Sequence, residues 1–242
     1  MTGFIKKNIP NTLTCGNLFS GCVATTFALA GNPGGALTWI IIGAIFDFFD
    51  GMSARLLKVS SPIGKELDSL ADDVTFGVAP SSMIFWQLGI VEYPGFLNSI
   101  KELIPFLAFI MAAFSGLRLA KFNIDKRQTT SFIGLPTPAN ALFWGALINY
   151  NPGWMNERFS WIAILIMVFI TSWLLVSEIP MFALKFKHWG WKDNEVRYSF
   201  ILLAVLLIIL MGILKAWWLI ILCYFIISLC LDAKRETSVK RR

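Results

Sequence analysis

The sequence predicts an all-α integral membrane protein of about eight transmembrane helices. Three observations lead there. Hydrophobic residues make up 56% of the 242 and charged ones only 15%, where soluble domains carry about a quarter charged. Long apolar runs recur between short polar breaks, each close to the ~20 residues that a helix rising ~1.5 Å per residue needs to cross roughly 30 Å of hydrocarbon. Once those runs are threaded through a bilayer, the basic residues gather on one side of it.

The spans follow in order. The first, residues 11 to 31, comes after Lys6 and Lys7 as a signal peptide would, but Asn11, Thr12, Thr14 and Asn17 interrupt the clean apolar stretch that cleavage requires. It is therefore read as a retained span, with residues 2 to 9 lying along the interface as a short amphipathic helix. The second, 35 to 57, is apolar until it meets acidic residues near its end. The break "SSP" separates it from the third, 66 to 91. The fourth, 97 to 121, ends on Arg118 and Lys121. The fifth, 134 to 151, is entered through Gly134, Pro136 and Pro138, a backbone break that either lines a polar cavity or forms a plain surface loop. The sixth runs from 159 to 185. The last two, 196 to 213 and 215 to 233, are rich in Ile, Leu and Trp and face lipid or a partner. Residues 1 to 10 form a juxtamembrane segment, 11 to 233 a single transmembrane domain, and 234 to 242 a basic cytoplasmic tail.

An even number of spans puts both termini on one side, and 18 of the 21 Lys and Arg fall there, leaving Lys101, Arg158 and Lys215 opposite. The positive-inside rule makes that side cytoplasmic, so an inner (cell) membrane location follows. The net charge of +6 then suits anionic headgroups of the lipid bilayer, and no nucleic acid partner is expected. Cys15, Cys22, Cys223 and Cys230 form no metal or redox spacing and read as reduced packing residues. His188 has no partner at zinc-ligand spacing and reads as a loop residue.

One stretch contradicts the apolar theme. "DFFDGMSARLLKVSSPIGKELDSLADD", residues 47 to 73, holds six acidic side chains. At about 100° per residue, Asp47, Asp50, Gly51 and Ala54 share one helical stripe. Beyond the break, Gly64, Asp68 and Asp72 repeat at four-residue steps and make a second stripe. Helices joined by so short a turn are antiparallel neighbours, so the stripes can face each other. Four carboxylates crowded at membrane depth repel and are costly to desolvate; they need cations. Two divalent ions would cancel their charge, and oxygen ligands without His or Cys favour Mg²⁺, Mn²⁺ or Ca²⁺, the ligand set of a two-metal phosphate-processing site. The competing expectation is a salt-bridge cluster with Arg55, Lys58 and Lys65. Asp73 and Glu66 point off the stripes and read as outlying or solvated.

The stretch matches D-x2-D-G-x2-A-R-x8-G-x3-D-x3-D at Asp47, Asp50, Gly51, Ala54, Arg55, Gly64, Asp68 and Asp72, and so resembles the CDP-alcohol phosphotransferase family of membrane enzymes. The resemblance implies transfer of a substituted phosphate from a CDP-linked donor to an alcohol, with release of CMP. It implies that Asp47, Asp50, Asp68 and Asp72 surround two divalent cations, Mg²⁺ or Mn²⁺, that Asp72 is also the general base on the acceptor, and that Gly51, Ala54 and Arg55 line the CMP moiety beside Gly64. Pro10, Asn11 and Thr14 match the family's P-N-x-x-T start; there the polar side chains either reach the pyrophosphate or metals, or cap the first helix. A homodimer is also implied.

Residues 118 to 141, "RLAKFNIDKRQTTSFIGLPTPANA", and 174 to 187, "LLVSEIPMFALKFK", resemble the serine-accepting branch of the family, which takes CDP-diacylglycerol and L-serine. Lys121 departs from the usual Arg, and Asn140 from the usual small residue. Serine carries a carboxylate and an ammonium, and Arg118, Lys121 and Asn123 sit together at the cytoplasmic end of the fourth span, where a guanidinium could hold the carboxylate. Membrane anchoring by Arg118 and Lys121 is the plainer alternative. Within the same chemistry, phosphatidylglycerophosphate synthesis is the runner-up, although a phosphorylated acceptor would want more basic residues. A divalent-cation permeation site would leave the Gly-x2-Ala-Arg spacing after the acids unexplained.

Overall fold

A computed structural model describes residues 2 to 59, 61 to 125, 132 to 182, 190 to 192 and 194 to 240. Lys126, Arg127, Lys185, Lys187, His188, Arg241 and Arg242 lie outside the described residues. The described chain is mostly helical, and its helical rods follow the expected spans in order. They are α1 (Thr2–Leu29), α2 (Pro33–Leu57), α3 (Pro62–Asp72) running through a π turn (Asp73–Val78) into α4 (Ala79–Ile90), α5 (Ile110–Ile124), α6 (Thr137–Tyr150), α7 (Ser160–Val176), α8 (Glu195–Met211) and α9 (Trp217–Lys240). A 3-10 segment, Ile104–Phe109, leads directly into α5. Among the described residues, Asn8–Leu29 and Ile104–Ile124 are long and apolar enough to cross a membrane, while Ser160–Val176 and Trp217–Ala233 are apolar but shorter.

Local sequence explains the boundaries. Asn32 caps α2 by accepting from the Gly35 amide at 2.9 Å, and Pro33 opens the helix. Lys58 ends it in the left-handed conformation, its N–H turned back on the carbonyls of Ala54 and Arg55. Ser61 then caps α3 through the Gly64 amide at 3.0 Å, with Pro62 behind it.

Three expectations are corrected. Residues 2 to 9 are not a separate interfacial helix: they are the first turns of α1, which runs on through Pro10. Pro10 removes one backbone donor, but a membrane helix tolerates that loss where neighbouring side chains satisfy the freed carbonyl. The sixth span ends at Val176 rather than 185, because the chain turns there to place Pro180–Met181 (β2) antiparallel to Phe132–Ile133 (β1). Gly134, which follows β1, has φ +73° and lies so close to the end of α7 that a Cβ would meet Leu175 O at 2.6 Å. The entry to α6 is therefore a broken backbone pinned to α7, with Leu135 N donating to Leu174 O at 2.9 Å. The cysteines are free thiols, as expected, but Cys15, Cys22 and Cys230 are exposed on the helix surfaces rather than packed inside.

One core joins α1, α2, α4, α6 and α7 around Ile40, Phe76, Met83, Trp144 and Ile164, all fully or almost fully buried. A second joins the α6 entry to α8 and α9 around Met181, Phe200, Ile220 and Tyr224. The outward faces stay apolar: on α8, Leu202, Ile209 and Leu210 are each more than 70% exposed, which suits contact with lipid.

Close packing marks the point where α1 crosses the π turn. A Cβ on Gly21 would collide with Thr75 Oγ1 and lie 2.8 Å from the Thr75 backbone nitrogen. Backbone cannot give way there as a long side chain can. Gly21→Ala is accordingly expected to destabilise the protein by about 1–3 kcal/mol, read as a lower melting temperature in detergent with the helical content unchanged below it.

Candidate active site

The two acidic stripes do face each other, and α1 lies across both. Oxygens from Asp47 and Asp50 of α2 and Asp68 of α3 all fall within 4.8 Å of one another. Asp50 is buried, and Thr14 of α1 donates its hydroxyl to Asp50 Oδ2 at 2.7 Å. Asp68 Oδ1 is buried with no hydrogen-bond partner. Among the described residues no ion pair joins these acids to Arg55, Lys58 or Lys65; the Lys65 ammonium turns away to donate to the Asn123 carbonyl at 2.6 Å. The salt-bridge expectation therefore fails. Three carboxylates with oxygens within 4.8 Å of one another, one of them with an unpartnered buried oxygen, make an all-oxygen donor set that fits a hard divalent cation.

Asp50 and Asp68 of this cluster line a cavity of about 350 Å³. Its roof comes from α1 through Pro10, Asn11 and Thr14, and its floor from Gly51, Ala54, Gly64 and Lys65. An added Cβ on Gly51 would meet nothing within 4 Å, so this glycine keeps the cavity open rather than filling a packing need. Gly64 acts differently. Its Cβ would come within 2.9 Å of Asn11 Oδ1, so the missing side chain makes room for Asn11 at the cavity edge. Asn11 and Thr14 lie well inside α1, which excludes the capping alternative for them. Arg55 is exposed and is not among the residues that line this cavity; Lys65 is the cation at its wall.

Asp72 is not one of the three acids whose oxygens fall within 4.8 Å of one another. Its Oδ1 accepts from the side-chain amide of Asn17 at 2.9 Å, a bond between α1 and the end of α3. The π turn starts at the next residue. Asp73 is half-buried, with its Oδ1 enclosed: it faces Gly77, Ser115 and Gly116, where a Cβ on Gly77 would come within 2.7 Å of Asp73 Oδ1.

A second cavity, about 370 Å³, opens at the end of α5, between Arg118 and Lys121 on one side and Ser177 and Glu178 on the other. Arg118 is only 7% exposed. Its Nη1 donates to Thr137 Oγ1 at 3.4 Å, and its Nε is buried with no partner. Asn123 belongs elsewhere. Its amide donates to Ser69 Oγ at 2.7 Å, so with Lys65 on its carbonyl it braces α5 against α3 and does not line the Arg118 cavity. The sequence reading brought Arg118 and Lys121 together correctly in space but missed Asn17, whose signal was available: an uncapped, buried Asn inside an apolar run needs a polar partner.

The family model for CDP-alcohol phosphatidyltransferases matches residues 7 to 174. A CDP-diacylglycerol–serine O-phosphatidyltransferase of Bacillus subtilis (strain 168) is 37% identical over 182 residues, covering 74% of this chain and 90% of that protein. The Mycobacterium leprae protein of the same name is 30% identical over 233 residues, 92% of this chain and 72% of that one. A Saccharomyces cerevisiae protein of that name is 38% identical over 143 residues, covering 52% of this chain and 48% of its own length.

Proposed function

This chain belongs to the CDP-alcohol phosphatidyltransferase family, and from that premise we propose that it moves the phosphatidyl group of CDP-diacylglycerol to L-serine, giving phosphatidylserine and CMP. The observation that carries the reading is the cluster of Asp47, Asp50 and Asp68, whose oxygens fall within 4.8 Å of one another beside an open cavity that Asp50 and Asp68 line, with a fourth acid, Asp72, one turn beyond Asp68. The names of the relatives support serine as the acceptor.

In this reading Asp47, Asp50, Asp68 and Asp72 hold two divalent cations, Mg²⁺ or Mn²⁺. When bound, these neutralise the pyrophosphate and the charge developing on the departing CMP. Thr14 orients Asp50 by its 2.7 Å hydrogen bond, and Gly51 and Ala54 leave room for the nucleotide. Asp72 takes the proton from the serine hydroxyl; the freed oxygen bonds to the phosphorus that carries diacylglycerol, and the bond from that phosphorus to the CMP oxygen breaks. Direct displacement without a covalent enzyme intermediate requires both substrates bound at once, hence sequential kinetics.

Arg118 binds the serine carboxylate. A guanidinium that is buried with its Nε unpaired supports that role, because such a donor costs free energy until an anion meets it. Lysine keeps the charge but loses the fork. Arg118→Lys is expected to raise the KM for serine about 10-fold, the equivalent of ~1.4 kcal/mol, and to leave the KM for CDP-diacylglycerol within about 2-fold. In this reading the eight rods among the described residues cross the bilayer, with the acid cavity at the cytoplasmic face, so the donor enters sideways with its acyl chains still in lipid.

Purified protein supplied with CDP-diacylglycerol, Mn²⁺ and, in turn, serine, glycerol 3-phosphate, inositol or inositol phosphate tests the assignment. CMP release with serine alone is the expected result. Release with glycerol 3-phosphate alone would keep the donor chemistry and overturn the acceptor.

A further inference from the structure

Asn17 matches no position of the acid signature, yet its side chain reaches from α1 to Asp72. It is fully buried. Its Nδ2 donates to Asp72 Oδ1 at 2.9 Å, and its backbone carbonyl accepts from Thr75 Oγ1 at 3.0 Å. The remaining side-chain oxygen, Oδ1, is buried without a partner and faces α2: a Cβ on Gly43 would lie 3.0 Å from it and 2.6 Å from Thr75 Cγ2. The amide is thus wedged between α2 and the π turn, with its donor end aimed at one carboxylate oxygen.

The residue type is informative. A carboxylate at position 17 would add a fifth negative charge beside four others. A leucine would fill the space but offer no donor, and it would remove a buried oxygen that has no partner, so packing alone gives no reason for the amide. The π turn begins at Asp73, the residue after Asp72. Such turns interrupt the regular helical ladder and commonly accompany functional sites. The helix therefore does not by itself fix Asp72 in both directions, and a contact from α1 supplies the missing constraint.

We propose that Asn17 is a positioning residue for Asp72: its amide holds Oδ1, fixing the carboxylate plane and leaving Oδ2 as the oxygen that takes the acceptor proton. The inference rests on the reading of Asp72 as the base. Asn17 touches neither substrate, and its effect belongs in the chemical step rather than in binding.

The test compares Asn17→Leu and Asn17→Ala with wild type, all as full chains purified in detergent. kcat and the KM values for serine and CDP-diacylglycerol are measured together with CMP binding in the presence of Mn²⁺ and the melting temperature. The expected result is a kcat lowered about 10–100-fold in both variants, the loss that a displacement of about 1 Å in a reacting group produces. Both KM values and the CMP affinity stay within about 2-fold. Unchanged kcat per folded molecule, or a loss confined to KM or CMP binding, would overturn the proposal. Should Asn17→Leu fail to fold, Asn17→Ala, smaller and likewise without the donor, carries the same comparison. Asp72→Asn in the same assay separates the two readings: if it stays active, the assignment of the base fails whatever the Asn17 variants do.

Discussion

Asp72→Asn is expected to lower kcat for serine-dependent CMP release by about 10²–10⁴-fold, the range that a positioned general base contributes. Asn has the same outline, and its oxygen can still accept from the Asn17 amide, whose bond to Asp72 Oδ1 is 2.9 Å. What it cannot do is take a proton. Binding of the donor depends mainly on the cavity formed by Asn11, Gly51, Ala54 and Gly64, none of which the substitution touches. CMP affinity should therefore fall much less than kcat, although loss of one metal ligand narrows the contrast. Equal losses in both would assign Asp72 to metal and donor binding alone.

The second large effect concerns the cation. Asp47, Asp50 and Asp68 present oxygens within 4.8 Å of one another, and Asp68 Oδ1 has no protein partner. Bare, such a group is repulsive; a divalent ion held by these three carboxylates would convert the repulsion into attraction. Chelation is expected to abolish CMP release, and Mn²⁺ or Mg²⁺ to restore it. Binding to the folded state alone also stabilises it: metal at about 100 times its Kd contributes ~2.7 kcal/mol, or about 5–10 °C in melting temperature for a chain of this size. Asp68→Asn should lose most of that shift and need about 10–100-fold more metal for half-maximal activity. A wild-type melting temperature indifferent to Mn²⁺ would contradict the metal assignment without reference to activity.

The acid stripes were legible because a helix repeats every 3.6 residues: Asp47 and Asp50, then Gly64, Asp68 and Asp72, fix their own faces by spacing alone. The helical rods were legible for a similar reason, since continuous apolar runs leave little choice of secondary structure. Contacts between helices were less so. The Asn17 amide meets Asp72 across 55 residues of sequence, and no local pattern says which face of α1 will cross the end of α3. That crossing depends on Gly21 and Gly43 allowing the backbones to approach around Thr75. Arg55 follows the same logic in reverse, standing in the family pattern beside Ala54 yet exposed rather than lining the cavity. Asn123, grouped with Arg118 by proximity in the chain, is drawn off by Ser69 and Lys65 of a neighbouring helix. The β1–β2 pair was hidden too: two residues on each side pair across more than forty positions, and strands that short leave no periodicity to read.

The most direct test of phosphatidyl transfer to serine follows the oxygen that forms the new bond. Purified protein is given CDP-diacylglycerol, Mn²⁺ and serine labelled with ¹⁸O in its hydroxyl, and the lipid and nucleotide products are weighed by mass spectrometry. The expected products are phosphatidylserine that retains the heavy oxygen and an equal amount of unlabelled CMP, since the serine oxygen attacks phosphorus and the CMP oxygen departs. Unlabelled phosphatidylserine, or CMP released with phosphatidic acid and no serine lipid, would contradict it.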